Sequence, residues 1–292
     1  MKLLRNTVFI LLRYTGLPWL IRATLQRDRV TIVAFHDPAV EHAASVLPFL
    51  ARAYNVIRLD DYLQARRTGD RTRLPKKALI ITLDDGHIGN HALLPLLKEH
   101  RIPVTIFLCS GLIDTNRHYW FKYDHPELQV EPLKKLPNHE KLQRLAALGF
   151  SPERQFEQPQ ALSGDQLRDM AGTIHFGAHT HLHPCLPTCD EEEARGEITG
   201  SKHLLEQSFG LSIDSFAYPN GDYSERDVQL VRQAEYACAI TIDPGFNTLE
   251  TDAYRLKRIT IADDDSIAAT CVKASGLWAA LRGQWTGGAR AI

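Results

Sequence analysis

From residue 30 onward the chain alternates short, continuous apolar runs with longer stretches whose apolar residues recur every three or four positions. The continuous runs are VTIVAF, ALIITL, VTIFL, TIHFGA, SFAY, ACAITI and RITI, each four to six residues long and rich in β-branched side chains. Unbroken rather than alternating hydrophobicity is what a strand covered on both faces of a parallel sheet requires. The helical patterns are HAASVLPFLARAY, GNHALLPLLKEH, SGDQLRDMAG, DEEEARGEITGSKHLLEQSFG and SERDVQLVRQAE. Several open on Asp, Ser or Gly, as helix starts do, because their first N–H groups need an acceptor or a free backbone. Strand and helix in alternation predict an α/β fold with a parallel sheet, open or closed into a barrel.

One stretch breaks this rhythm. Asp114 to Gln160, between the third and fourth strands, is rich in Pro, His and aromatic residues (NRHYWFKYDHPELQ) and is too long for a plain connection. It is expected to be an insertion in a catalytic domain spanning residues 30–270, with a helix near His139 to Leu148 lying over one end of the sheet. Residues 1–29 form a basic N-terminal segment. Residues 271–292 are expected to be a C-terminal tail, fraying at WTGGARAI. The apolar run near the start, Val8 to Leu12, is cut by Arg13 and is too short for a signal-peptide core or a membrane span. The segment reads either as a basic amphipathic helix in peripheral contact with an anionic membrane face, or as a helix packed on the domain with its arginines in water.

Composition narrows the function classes. The 292 residues are 44% hydrophobic, ample for a packed core, and 34 Lys and Arg against 35 Asp and Glu leave no bulk charge for nucleic acid. Five scattered cysteines fit reduced thiols in a cytoplasmic setting better than a disulfide framework. Cys185 and Cys189 are four apart, but no second pair follows to complete a structural zinc site. Thirteen histidines are more than packing needs, and they direct attention to histidine chemistry.

The suspicious polar residues fall where the strands end: His36 after the first, Asp84 and Asp85 after the second, His179 and His183 after the fourth, and PNGDY after the fifth. In parallel α/β barrels that edge carries the reactive groups, because strands fix their positions while loops vary. GAHTHLHP sets His179 and His183 four apart, a spacing that can bring two imidazoles to one metal. With a carboxylate from another strand end they form a two-His, one-carboxylate set that leaves room for water and substrate. The vicinal aspartates then divide the work. One holds the metal, which brings the pKa of water toward about 7, and the other takes the proton. The plainer reading of LDDG is a strand-to-turn junction with Asp as a cap, and LDDYL at Leu59 to Leu63 is read that way.

These residues carry a family resemblance. LIITLDDGHIGNHALLPLLKEHRIPVTIFL, then GAHTHLHP and FAYPNG, is similar to the polysaccharide deacetylases, the NodB-like carbohydrate esterases that remove N-acetyl or O-acetyl groups from glycans. The similarity runs in motif order from about Val30 to Ile261. It implies a deformed (β/α)7 barrel and a divalent metal, commonly zinc, held by Asp85, His179 and His183. It implies Asp84 as general base and, at FAYPNG, the backbone N–H of Asn220 as an oxyanion donor. Two departures stand out. The arginine that orients the base in many members is Ala217 here, and the late histidine that serves as general acid has no match in YRLKRITI. His36 reads either as the replacement acid, as in one branch of the family, or as a structural histidine, with His181 and Asp222 next in line. Arg258 is similar to a residue ending that branch's last strand. Tyr218 and Trp120 are the candidate sugar contacts; the aromatics around Trp120 read equally as the insertion's own core. The implied partner is an N-acetylated glycan or oligosaccharide. Its rivals are a small molecule or peptidoglycan fragment treated by the same chemistry, or a glycan merely bound by a protein whose catalysis has lapsed.

Overall fold

The computed structural model describes residues 2–284; WTGGARAI, expected to fray, lies outside the described residues. Two helices, α1 (Lys2–Tyr14) and α2 (Leu17–Ala23), precede β1 (Val30–Phe35). There follow α3 (Val40–Ala53), β2 (Asn55–Val56), α4 (Leu59–Thr68), β3 (Ala78–Leu83), α5 (Leu94–His100) and β4 (Val104–Leu108). The insertion holds α6 (Val130–Leu133) and α7 (Asn138–Ala147), and α8 (Gly164–Met170) leads into β5 (Ile174–Ala178). α9 (Glu191–Arg195) runs through a π turn (Gly196–Gly200) into α10 (Ser201–Phe209). The chain closes with β6 (Ser215–Ala217), α11 (Glu225–Gln233), β7 (Cys238–Ile240), β8 (Ile259–Thr260), α12 (Ile267–Ala274) and α13 (Leu277–Leu281).

All seven expected strands are present and pair in parallel in the order β7-β6-β5-β4-β3-β1-β8. The ring is completed by a parallel bridge from Ile240 to Leu256, just upstream of β8. The result is a deformed barrel. Its deformation has a visible cause: β4 meets β3 only at Thr82 and Leu83, and the two-residue β2, which the sequence pattern is too short to reveal, pairs with the lower end of β3 at Ala78 and Leu79. Alternate strand residues divide the core. Ile32, Ile80, Phe107, Cys238 and Ile240 fill the interior with Leu59, Tyr62 and Leu63 of α4, which plugs the N-terminal end. Val33, Phe35, Ile81, Leu83 and Ile106 face the surrounding helices. LDDYL is the helix start expected of it, with Asp61 accepting a hydrogen bond from the Arg58 N–H at 3.0 Å.

The insertion builds a small core of its own from Trp120, Leu133, Leu145 and Phe150. Its α7 occupies the predicted helical stretch. α1 lies along α12, with Phe9 against Trp278 at 4.7 Å between ring centroids. The tail expected from residue 271 therefore begins inside α12, followed by α13. All five cysteines are buried and unpaired.

Candidate active site

β3 ends on Leu83, and Asp84 keeps the strand's alternation, so its side chain enters the barrel interior. The chain then turns sharply. Asp85 (φ 73°) and Gly86 (φ 75°) are both left-handed, and a Cβ on Gly86 would come within 2.6 Å of Leu108 Cδ2. Only glycine tolerates that combination cheaply. The turn makes the two neighbouring carboxylates diverge: Asp84 toward Arg258, Asp85 toward the histidines.

Arg258 is fully buried and grips Asp84 as a fork, Nη1 to Oδ1 and Nη2 to Oδ2, each at 2.7 Å. Its Nη1 also donates to Thr82 Oγ1 and its Nε to the Thr241 carbonyl. Burial alone would raise the Asp84 pKa, but the guanidinium outweighs it and the carboxyl sits below its ordinary range. Arg258 thus does the orienting that the sequence leaves open at Ala217.

Asp85 faces the two histidines. Its Oδ1 lies 3.4 Å from Nε2 of His179 and 3.4 Å from Nε2 of His183. It is buried and has no hydrogen-bond partner. His179 Nδ1 pairs with the Ala217 carbonyl at 2.7 Å. A carbonyl only accepts, so Nδ1 carries the proton and Nε2 presents its lone pair to Asp85. Burial pushes His183 down to about 3, a neutral imidazole. The other Asp85 oxygen, Oδ2, is 2.9 Å from His87 Nε2, and His87 Nδ1 is 3.2 Å from Lys122 Nζ. An ammonium only donates, so His87 holds its proton on Nε2 and directs it at Oδ2. Burial raises Asp85, while the His87 bond and the neighbouring histidines bring it below the ordinary carboxylate range. A buried carboxylate oxygen with no hydrogen-bond partner, facing the lone pair on His179 Nε2, is repulsive as it stands. It fits a divalent cation well.

A cavity of about 270 Å³ opens onto these groups, lined also by Ala34, His36, Asn220 and Gly221, with Phe121, Val130 and Lys134 from the insertion. His36 stands at its rim, its N–H donating to Asp263 Oδ1 at 2.9 Å and its carbonyl accepting from Asn90 Nδ2 at 2.9 Å. Asn220 has φ 56°, and Gly221 is packed so tightly that a Cβ would lie 2.1 Å from Ile242 Cγ1. His36, Asp84, Asp85, His179, His183 and Asn220 are thus brought to one cavity from four separate stretches of the chain.

Two candidates are not. Tyr218 is fully buried, stacks on Tyr223 at 4.9 Å and donates to the Tyr254 carbonyl. Its position in the strand end turns it away from the cavity. Trp120 also misses the cavity: its Nε1 donates to the His183 carbonyl at 2.9 Å, and Lys141 Nζ sits over its ring at 4.6 Å. Phe121, one residue on, faces the cavity, its ring 4.7 Å from that of His183. His181 pairs with Ser110 at 2.9 Å and borders a different cavity. The sequence reading missed His87 and Lys122. His87 could have been suspected two residues after Asp85 in the same motif; nothing local marks Lys122.

A curled parallel barrel with Asp, Asp, His and His at its C-terminal mouth defines a class of hydrolases. The family model described as "Polysaccharide deacetylase" matches residues 71–239, more than half of the chain, and the chain belongs to that family. It is an enzyme, a hydrolase acting on carbon–nitrogen bonds. Among solved structures it is similar to the Streptococcus pyogenes deacetylase PplD in complex with acetate, at 17% identity and TM-score 0.59, covering 84% of this chain and 98% of that one. It is also similar to the BpsB deacetylase domain from Bordetella bronchiseptica (17%, TM-score 0.58, 80% and 96%) and to IcaB from Ammonifex degensii (19%, 0.58, 85% and 99%). No curated protein matches the chain in sequence. His36 and Arg258 lie outside the matched residues.

Proposed function

We propose that the enzyme hydrolyses N-acetyl groups of an amino-sugar glycan, using a divalent cation, zinc in the first instance, held by Asp85, His179 and His183. The observation that carries this reading is the buried, unpartnered Asp85 Oδ1 equidistant from two imidazole Nε2 atoms. The cation, when bound, supplies Lewis acidity toward the acetyl carbonyl and toward water.

The remaining work falls to the chain itself. Asp84 accepts the proton of the attacking water; Arg258 keeps it ionised and fixes its plane while leaving further lone pairs free. The backbone N–H of Asn220 donates to the oxygen on which charge develops. His36, at the rim, gives a proton to the departing amine, so that the C–N bond breaks to acetate and a free amino sugar. His87 and Lys122 hold Asp85 with Oδ1 presented inward. Phe121 and Lys134 supply an apolar face and a cation where a sugar would enter.

Acetate release should be measured on a panel of N-acetylated oligosaccharides before and after chelation, with metal content determined alongside. We expect activity to vanish on chelation and return with zinc, and His179→Ala and His183→Ala to lose the metal, because an open three-ligand site tolerates loss of an imidazole poorly. Stoichiometric metal in both variants would overturn the assignment.

A further inference from the structure

Twelve large apolar side chains stand exposed among the described residues, and nine of them lie between Leu4 and Leu25. Leu4, Val8 and Leu11 follow one another at helical spacing along the outer side of α1, and Tyr14 ends the row. On the opposite side Phe9 is buried against α12 and Trp278. α1 is therefore apolar on two sides, one of which no other described part of the chain covers. α2 and the turn after it continue this surface through Leu17, Trp19, Leu20 and Leu25, and Leu281 of α13, which packs on α2, adjoins it. Leu4, Leu11, Tyr14 and Trp19 are 63–78% exposed. Scattered exposed hydrophobics need no explanation, but a contiguous set at one end of a molecule does.

Charge identifies the occupant. Residues 1–27 contain Lys2, Arg5, Arg13, Arg22 and Arg27 and no Asp or Glu, whereas the whole chain is close to neutral. An apolar helical face bearing Trp and Tyr, with cations around it, suits the boundary between acyl chains and phosphate headgroups. No described helix is long and apolar enough to cross a membrane, so these helices lie along one. A second copy of this chain fits less well, since a two-fold contact would press one basic face against its equal.

The geometry points to α1 and α2 as a docking surface for an anionic lipid bilayer, Leu4, Val8, Leu11 and Trp19 entering the interface and the exposed Arg5 and Arg27 resting on headgroup phosphates. The packed side of α1 is tied to the loop beside the barrel mouth. Ser266 Oγ donates to Asn6 Oδ1 at 2.7 Å, and Asp263, three residues earlier, receives the N–H groups of His36 and Asp37 at the cavity rim.

The test is co-sedimentation of the full chain with vesicles of phosphatidylcholine alone and of equal parts phosphatidylglycerol and phosphatidylcholine. We expect binding to the anionic vesicles only, weakened by salt and by Arg5→Gln with Arg27→Gln. A Leu4→Ser, Leu11→Ser, Trp19→Ser variant, whose positions are all exposed and whose folding circular dichroism can check, should lose on the order of 10-fold or more in partitioning. Wild-type protein left in the supernatant, or a triple-serine variant that pellets equally, would overturn the proposal. So would a wild-type dimer, seen by sedimentation velocity and lost in the triple-serine variant, that binds no vesicles; this outcome would give the face to a second copy.

Discussion

Asp84 and Arg258 depend on each other, because each would be a buried charge without its partner. Arg258→Met should destabilise the metal-free protein by about 3–5 kcal/mol, the range for breaking a buried pair from one side. Adding Asp84→Asn should recover much of that loss, which urea unfolding of the two singles and the double would show. The sign of the pH effect follows from the lowered Asp84 pKa. Its stabilisation is complete above the ordinary carboxyl value of 3.8 and is lost as pH falls through the lower folded value. The stability gap between wild type and Asp84→Asn should accordingly narrow in acid; a constant gap would detach Arg258 from the charge on Asp84. His36 is tested by chemistry instead. If it protonates the leaving amine, His36→Ala should keep its metal and lose roughly 100-fold or more on an amide, but far less on an activated acetate ester, whose leaving group needs no proton. Equal losses on both substrates would retire it.

At the scale of elements, the loop from His179 to His183 is shaped from outside. Thr180 and His183 have positive φ, a conformation that side-chain-bearing residues hold only when their surroundings impose it. Trp120 of the insertion holds the His183 carbonyl. From the π turn between α9 and α10, Glu197 accepts from the N–H groups of His181 and Leu182 at 2.7 and 2.8 Å. Trp120→Phe keeps the aromatic packing and removes only the indole donor, so it should weaken metal binding on the order of 10-fold. If sugar affinity fell while metal affinity held, Trp120 would be a substrate platform after all. This contrast also shows what a sequence discloses. The strands are legible because burial on both faces demands unbroken apolar runs, and the Asp84, Asp85, His179, His183 set is legible because strand ends sort reactive side chains to one rim. That Trp120 and Tyr218 lie off the cavity could not be read, because aromatic type says nothing about which way a strand end or an insertion turns a ring. Arg258 could be matched to a family branch, but its fork on Asp84 is a contact across 174 positions that no local pattern encodes.

Across the whole molecule, that same contact joins the third strand to the last segment that closes the ring. The two carboxylates, both histidines and Asn220 are all in place in the chain by residue 220, while the bridge at Leu256 and the Arg258 fork come later. During synthesis, then, Asp84, Asp85, His179, His183 and Asn220 all precede the residue that grips Asp84. A chain that stops short of Arg258 therefore lacks the fork on Asp84, however complete its other site groups. Stalled ribosome complexes of graded length should release no acetate until Arg258 has left the exit tunnel, and turnover from a shorter chain would uncouple barrel closure from chemistry.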